Sequence, residues 1–208
     1  MKVLLVNGSP RKNGNTFLAL SEVAKTLNEE GIESEIVWIG NKPLRGCIAC
    51  AMCKQNGDDK CVFDDDVCNK ISAKFNEADG FVFGSPVYYG QPNGALLAIM
   101  QRAFFSNGVN VKNKPGAAVT ICRRGGATAA FEALQMPMQM MHMPIVTSQY
   151  WNIAYGREAG QVELDTEGMQ TMRALGHNMA FMLRAIAAEK AKNGLPEREE
   201  WQPMHFIR

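Results

Sequence analysis

The chain has 208 residues, of which 46% are hydrophobic and 21% are charged, and its formal net charge is +1 at pH 7. This composition excludes an intrinsically disordered chain, and the near-neutral charge offers no electrostatic footprint for a nucleic-acid-binding protein. The length suits one domain with a substantial hydrophobic core, and six Cys and thirteen Met are the unusual features of the composition.

Short apolar segments alternate with longer segments of helical periodicity. The pattern predicts strands at residues 2–6, 35–39, 80–85, 116–122 and 145–150, and helices at residues 16–30, 65–77, 93–105, 127–141 and 166–192. This alternation predicts an α/β fold with a parallel sheet and helices on both faces. Five strands favour the doubly wound, flavodoxin-like order 2-1-3-4-5, in which ligands bind beyond the carboxyl ends of the strands. We therefore expect one domain at 1–193, with a cysteine-rich loop at 46–62, and a non-helical tail at 194–208.

The loop after the first predicted strand, residues 7–16, carries glycine, hydroxyl, amide and basic groups at the start of a helix. Free backbone N–H groups and the helix dipole favour a phosphate at such a position. The loop does not match the dinucleotide motif, because only Gly8 and Gly14 are present, nor the P-loop, because Asn15 stands where lysine is needed. A monophosphate is therefore favoured over a magnesium-bound triphosphate, and an ordinary Asn- and Gly-rich turn is the alternative.

Two further loops follow the third and fourth predicted strands. Residues 84–92 combine a rigid proline, two adjacent tyrosines and glycines that permit close approach of the backbone, which suits a planar ring. A Pro- and Gly-rich turn with half-buried tyrosines is the alternative reading. Residues 122–128 are Gly-rich and basic, and a solvated turn with two surface arginines is the alternative there.

Two segments carry a resemblance to a known family. Gly8-Ser9-Pro10-Arg11 with Asn15-Thr16, and Gly84-Ser85-Pro86-Val87-Tyr88, resemble the flavin-binding motifs of the NADPH-dependent FMN reductase family, over about residues 1–190. The resemblance implies that residues 1–193 form an FMN-binding domain. It implies contacts to the FMN phosphate from Ser9, Arg11, Asn13, Asn15 and Thr16. It implies that the flavin ring is lined by Pro86, Val87, Tyr88 and Tyr89, and its pyrimidine edge and ribityl chain by Arg123, Gly125 and Gly126.

Four cysteines follow the second predicted strand with the spacing C-x2-C-x2-C-x7-C; they are Cys47, Cys50, Cys53 and Cys61. Structural zinc usually uses separated pairs, so this overlapping spacing is more typical of iron–sulfur ligation. It resembles the compact motif of the iron–sulfur flavoproteins, which implies a [4Fe–4S] cluster, although the last gap is longer than in typical members. A redox-active thiol pair and a reduced structural loop are the alternatives. Cys68 and Cys122 are expected to be buried small apolar residues.

The resemblance implies an FMN-dependent oxidoreductase in which NAD(P)H reduces bound FMN. The reduced flavin would then reduce a quinone, a free flavin, a metal ion, or a nitro or azo compound. Because the cofactor carries the chemistry, no catalytic side chain is assigned. The alternatives are an iron–sulfur flavoprotein that exchanges electrons with a ferredoxin-like partner, and a flavin-binding regulatory module without turnover.

Location and assembly are also expectations from the sequence. No apolar run approaches the ~20 residues of a membrane helix, and residues 1–7 are too short an apolar start for a secretory signal. We therefore expect a cytoplasmic protein with no membrane or nucleic-acid partner. The resemblance implies a homodimer or homotetramer, and the methionines at 136–143 suit either core packing or such an interface. Residues 150–152, at the end of the predicted fifth strand, are expected on the ligand side.

Overall fold

The computed structural model describes residues 1–204, 206 and 207, so His205 and Arg208 of the predicted tail lie outside the described residues. The strands are β1 (Lys2–Asn7), β2 (Glu33–Trp38), β3 (Gly80–Tyr88), β4 (Gln91–Pro92), β5 (Gly116–Cys122) and β6 (Ile153–Tyr155). The helices are α1 (Asn15–Glu29), α2 (Met52–Asn56), α3 (Cys68–Ala73), α4 (Gly94–Asn107), α5 (Ala127–Met140) and α6 (Thr166–Asn193). Short 3-10 helices lie at Gly108–Val111 and Gln161–Leu164.

One sheet forms the centre of the fold in the order β2-β1-β3-β5-β6, and each pairing along that order is parallel. The doubly wound, flavodoxin-like arrangement is therefore confirmed, because the five parallel strands follow the order 2-1-3-4-5. The predicted strand count is only approximate, because β4 adds a sixth strand that lies antiparallel to β3. The parallel strands bring their carboxyl ends, and the loops that follow them, to one edge of the sheet.

Alternate side chains of the sheet face two layers of helices. In β1, Val3 and Leu5 pack with residues of α1 and α6, whereas Leu4 and Val6 pack with residues of α3, α4 and α5. Both faces are apolar, as a parallel sheet that is covered on both sides requires. Burial of each such side chain stabilises the folded state by about 1.5–3 kcal/mol. The loops at the carboxyl edge are therefore attached to a stable sheet.

The predicted fifth strand at residues 145–150 is wrong. Within it only Ile145 bridges to Gly116, and the last strand of the sheet is β6. Ser148 Oγ donates to the carbonyl oxygen two residues further on at 2.7 Å, and this local turn takes the chain away from the sheet. Residues 150–152 therefore precede the last strand instead of ending it, so the reason for expecting them on the ligand side does not hold.

The helix predicted at residues 65–77 is shorter than expected. The Asp66 carboxylate accepts a hydrogen bond from the Cys68 N–H at 2.9 Å, so α3 begins only at that residue. At its far end Phe75 and Asn76 donate to carbonyls three residues earlier, and these tight turns end the helix.

Across the described helices, none is long and apolar enough to span a membrane.

The methionine cluster divides between the core and the surface. Met138 and Met143 are buried, whereas Met136 and Met140 are exposed. Core packing therefore accounts for two of these side chains, and an interface role for the exposed pair stays a prediction.

Candidate functional site

The loop between β1 and α1 is folded by its own polar side chains. Asn7, buried at the end of β1, donates from Nδ2 to the Lys12 carbonyl at 3.0 Å and accepts from the Ser9 N–H at 3.1 Å. Ser9 Oγ in turn accepts from the Arg11 N–H at 3.1 Å. These bonds hold the loop in a defined curve around the start of the helix and leave the Arg11 side chain exposed.

The start of α1 offers backbone donors without a protein acceptor in the helix. Gly14 is its N-cap, and within the described chain no side chain caps this end. The first N–H groups of a helix, here from Asn15 and Thr16 onward, have no intrahelical partner. The first turn contains no acidic residue, and the neighbouring Arg11 and Lys12 are basic. An uncapped, positively polarised helix start of this kind suits a phosphate group.

The five residues expected at the phosphate are brought together but are not equivalent. Ser9 and Thr16 are buried, and Arg11 and Asn13 are exposed. The fifth, Asn15, uses its side chain elsewhere, because Nδ2 donates to the carbonyl of Glu158 at 2.9 Å. Its side-chain amide is therefore already engaged, and its backbone N–H is the group available to a phosphate.

Sequence analysis missed the partner of Asn15 on the loop after β6. Its Oδ1 accepts from the Val162 N–H at 3.4 Å, and a Cβ at Gly156 would lie 2.7 Å from its Nδ2. A contact between residues more than 140 positions apart leaves no signal in local spacing. The contact ties the α1 start to the last parallel strand and adds a fourth loop to the site.

The second loop turns sharply between β3 and β4. Tyr89 and Gly90 have φ values of +51° and +74°, and this pair of left-handed residues closes the antiparallel hairpin. Tyr88 is 46% exposed and Tyr89 is fully exposed, whereas Pro86 and Val87 are partly buried. Both tyrosines are therefore more exposed than the half-buried pair of the alternative turn reading.

The first two loops are joined by hydrogen bonds that sequence analysis did not anticipate. The Gly8 N–H donates to the Gly84 carbonyl at 2.8 Å, and Asn93 Nδ2 donates to the Gly8 carbonyl at 2.6 Å. Asn93 also caps α4, because its Oδ1 accepts from the Ala95 N–H at 3.1 Å. The available signal was an Asn at the first position of a predicted helix, which marks a cap but not a contact between loops.

The third loop meets the second at a glycine. Gly126, with φ +82°, is the N-cap of α5, and a Cβ there would lie 2.7 Å from Gly90 Cα. Arg123 and Gly125 on the same loop are exposed. All the residues expected along the flavin therefore lie on three touching loops at one edge of the sheet. Backbone donors, aromatic faces and arginine side chains at this edge fit a phosphate-bearing flavin.

A second candidate site lies on the loop between β2 and α3. The four cysteines line one cleft together with apolar residues. Ala49 and Ala51 have left-handed backbone conformations, with φ values of +55° and +56°, so the chain turns tightly between successive cysteines. The Ala49 N–H donates to Cys47 Sγ at 3.4 Å.

The donor set of this cleft is soft and the surroundings are apolar. All six cysteines of the chain are free thiols. Among residues 1–204, 206 and 207, no three His, Cys, Asp or Glu side chains converge on a position for one metal ion. Thiolate ligation is what iron–sulfur clusters use, so the residue types of the cleft suit such a group. Cys68 and Cys122 are buried as expected, and burial raises the pKa of the Cys68 thiol to about 12.

Arg102 of α4 is a further residue of the cleft that sequence analysis missed. Its guanidinium is buried, and its Nε donates to Cys61 Sγ at 3.2 Å. Burial lowers its pKa, but hydrogen bonds with Asp66 and Cys61 outweigh that effect and raise the pKa above the usual value. The signal was a lone arginine within the apolar segment 95–105, which is unusual unless the charge has partners.

Comparison with known proteins shows which family the sequence resembles. The sequence matches the NADPH-dependent FMN reductase family over residues 1–158. An iron–sulfur flavoprotein of Methanocaldococcus jannaschii is 36% identical over 194 residues, which cover 89% of this chain and 99% of that protein. An iron–sulfur flavoprotein of Methanosarcina thermophila is 31% identical over 198 residues, which cover 92% of this chain and 100% of that protein.

Solved structures share the fold at low sequence identity. RosB, solved with the bound intermediate 8-demethyl-8-formylriboflavin-5'-phosphate, has a TM-score of 0.70 at 17% identity, covering 100% of this chain and 94% of its own. A flavodoxin from the domain Archaea has a TM-score of 0.61 at 14% identity, covering 88% and 99% of the two chains. The family match and the curated relatives together lead to one conclusion: the chain belongs to the NADPH-dependent FMN reductase family, in its iron–sulfur flavoprotein branch.

Proposed function

We propose that this protein is an FMN-dependent oxidoreductase whose flavin is reduced by NAD(P)H and then reduces a quinone, free flavin, metal ion, or nitro or azo compound. The observation that carries the proposal is the uncapped start of α1, which follows the first of three contacting loops. Ser9, Thr16 and the backbone N–H groups would bind the phosphate, and Arg11 would neutralise its charge. RosB, a structural neighbour, was solved with a flavin phosphate, which supports this class of ligand.

The rest of the site would position the ring. Tyr88 and Tyr89 would stack on or flank the isoalloxazine, and Pro86 would limit their movement. Arg123, beside the Gly125–Gly126 backbone, would stabilise negative charge on the pyrimidine edge. Bound FMN supplies hydride acceptance and electron donation, so the protein needs only to bind, orient and shield it.

The phosphate assignment is tested by comparing the affinities of FMN and riboflavin. Because Arg11 would form a charge-assisted bond to the phosphate, Arg11→Ala should weaken FMN binding by about 1.5–3 kcal/mol and leave riboflavin binding unchanged. Flavin fluorescence titration measures both affinities. Arg173→Ala, an exposed α6 arginine paired with Glu22, is the charge-matched control. Equal FMN affinity in wild type and Arg11→Ala would remove the phosphate site from this loop.

A second candidate function is electron transfer through a [4Fe–4S] cluster, and the four-thiol cleft favours it. Cys47, Cys50, Cys53 and Cys61 would ligate the cluster, and a ferredoxin-like protein would be the redox partner. Anaerobically purified protein should contain about four iron and four acid-labile sulfide per chain, since that is the cluster's composition. Cys50→Ser should lose most of both, whereas Cys68→Ser, at a buried thiol outside the cleft, should retain them. Wild-type protein free of iron would exclude the cluster.

A further inference from the structure

Cys61 is held differently from the other cysteines of the cleft. Its N–H donates to Asn69 Oδ1 and its carbonyl accepts from Asn69 Nδ2, both at 2.9 Å. Its sulfur also receives the Arg102 Nε–H at 3.2 Å. Cys47 and Cys50, by contrast, are exposed. The fourth thiol is therefore fixed in both backbone and sulfur position.

The Arg102 side chain extends from α4 and is hydrogen-bonded to the cysteine loop. Its Nη1 donates to the Asp66 carboxylate at 2.5 Å and to the Arg45 carbonyl at 3.3 Å, and its Nη2 donates to the Phe63 carbonyl at 3.0 Å. The arginine is 1% exposed, and the Asp66 side chain is 8% exposed. Burial of a charge is costly unless it is paired, and here a carboxylate and a sulfur provide the pairing.

The hydrogen bond from Arg102 Nε to Cys61 Sγ does more than anchor the loop. Carbonyl contacts alone would hold the backbone, but the Nε–H points at a sulfur that would carry negative charge. Hydrogen bonds from donors around ligating sulfurs tune the electronics of a metal centre, and they are among the features that set cluster potentials. A cationic donor favours the more negative, reduced state.

We propose that Arg102 is a positioning residue that raises the reduction potential of an iron–sulfur cluster on the four cysteines, and that Asp66 opposes it. This inference rests on the proposed cluster. Reduction adds one electron, supplied by reduced flavin or by dithionite, with no bond formed or broken and no proton transferred. The added charge lies next to the Arg102 guanidinium, whereas the Asp66 carboxylate offsets part of that attraction.

The test is a redox titration of anaerobically reconstituted full-length protein with dithionite. In Arg102→Gln the oxidised-to-reduced cluster ratio at a fixed potential should rise about tenfold, which is ~59 mV for one electron. In Asp66→Asn the ratio should fall instead. Arg45→Gln is the matched control, because Arg45 lies over the same Phe63 ring but pairs with the exposed Asp65. The reduction potential of the cluster in this variant should match that of the wild type.

The outcomes separate this inference from the cluster itself. Wild-type protein without iron and sulfide contradicts both. If iron-loaded Arg102→Gln has the wild-type reduction potential, the proposed role of Arg102 is contradicted and the cluster itself is not. If Arg102→Gln fails to fold or to load iron, Asp66→Asn decides, and a potential that does not rise overturns the proposal. If the reduction potential shifts in the same direction in Arg102→Gln and Asp66→Asn, Arg102 only anchors the cysteine loop.

Discussion

At the scale of single residues, glycines allow the loops of the candidate flavin site to contact one another. A Cβ at Gly8 would lie 2.7 Å from the Gly84 carbonyl oxygen, and one at Gly126 would lie 2.7 Å from Gly90 Cα. Both obstacles are backbone atoms, which cannot swing aside as a side chain can. Gly125, the preceding residue, has open space, with no heavy atom of the described residues within 4 Å of its added Cβ.

This difference predicts a large loss of stability for one substitution and almost none for its neighbour. Gly126→Ala should lower the free energy of unfolding by about 1–3 kcal/mol, because it combines a clash with a left-handed φ of +82°. It should also weaken FMN binding, because the second and third loops separate. Gly125→Ala, the control, should change stability by less than about 0.5 kcal/mol. Urea unfolding of the two apoproteins measures this, and equal stabilities would mean that the contact is dispensable.

At the scale of elements, α4 links the two candidate sites. Its cap, Asn93, bonds the flavin loop at Gly8, and Arg102 further along the same helix bonds the cysteine loop at Cys61. Nine residues of helix separate these anchors by about 14 Å along the axis, at the usual helical rise. A single rigid element therefore sets the position of one site relative to the other.

Elements with strong local signals were predictable. The helix predicted at residues 16–30 matches α1 to within one residue at each end, and the strand predicted at residues 2–6 matches β1. The last strand was misplaced because residues 145–150 have strand composition while the Ser148 turn prevents pairing. Competition between a side-chain hydrogen bond and the sheet depends on geometry that periodicity does not contain.

At the scale of the whole molecule, the candidate site residues that sequence analysis predicted belong to local sequence motifs. Those that it missed make contacts with segments far away in the sequence. Ser9, Tyr88 and Gly126 belong to loops with recognisable composition after each strand. Asn93 and Arg102 act through partners 85 and 41 positions away. Only the folded chain, in which the loops that follow the parallel strands meet at the carboxyl edge of the sheet, brings such residues together.

The central claim is that the flavin held at this edge accepts hydride from a nicotinamide. The direct measurement is anaerobic titration of FMN-loaded protein with NADPH, and separately with NADH, followed by the visible absorbance of oxidised flavin. We predict that at least one nucleotide bleaches the flavin and that a quinone restores the absorbance. Flavin that dithionite reduces but that neither nucleotide bleaches would contradict the oxidoreductase assignment and leave electron transfer through the cysteine loop.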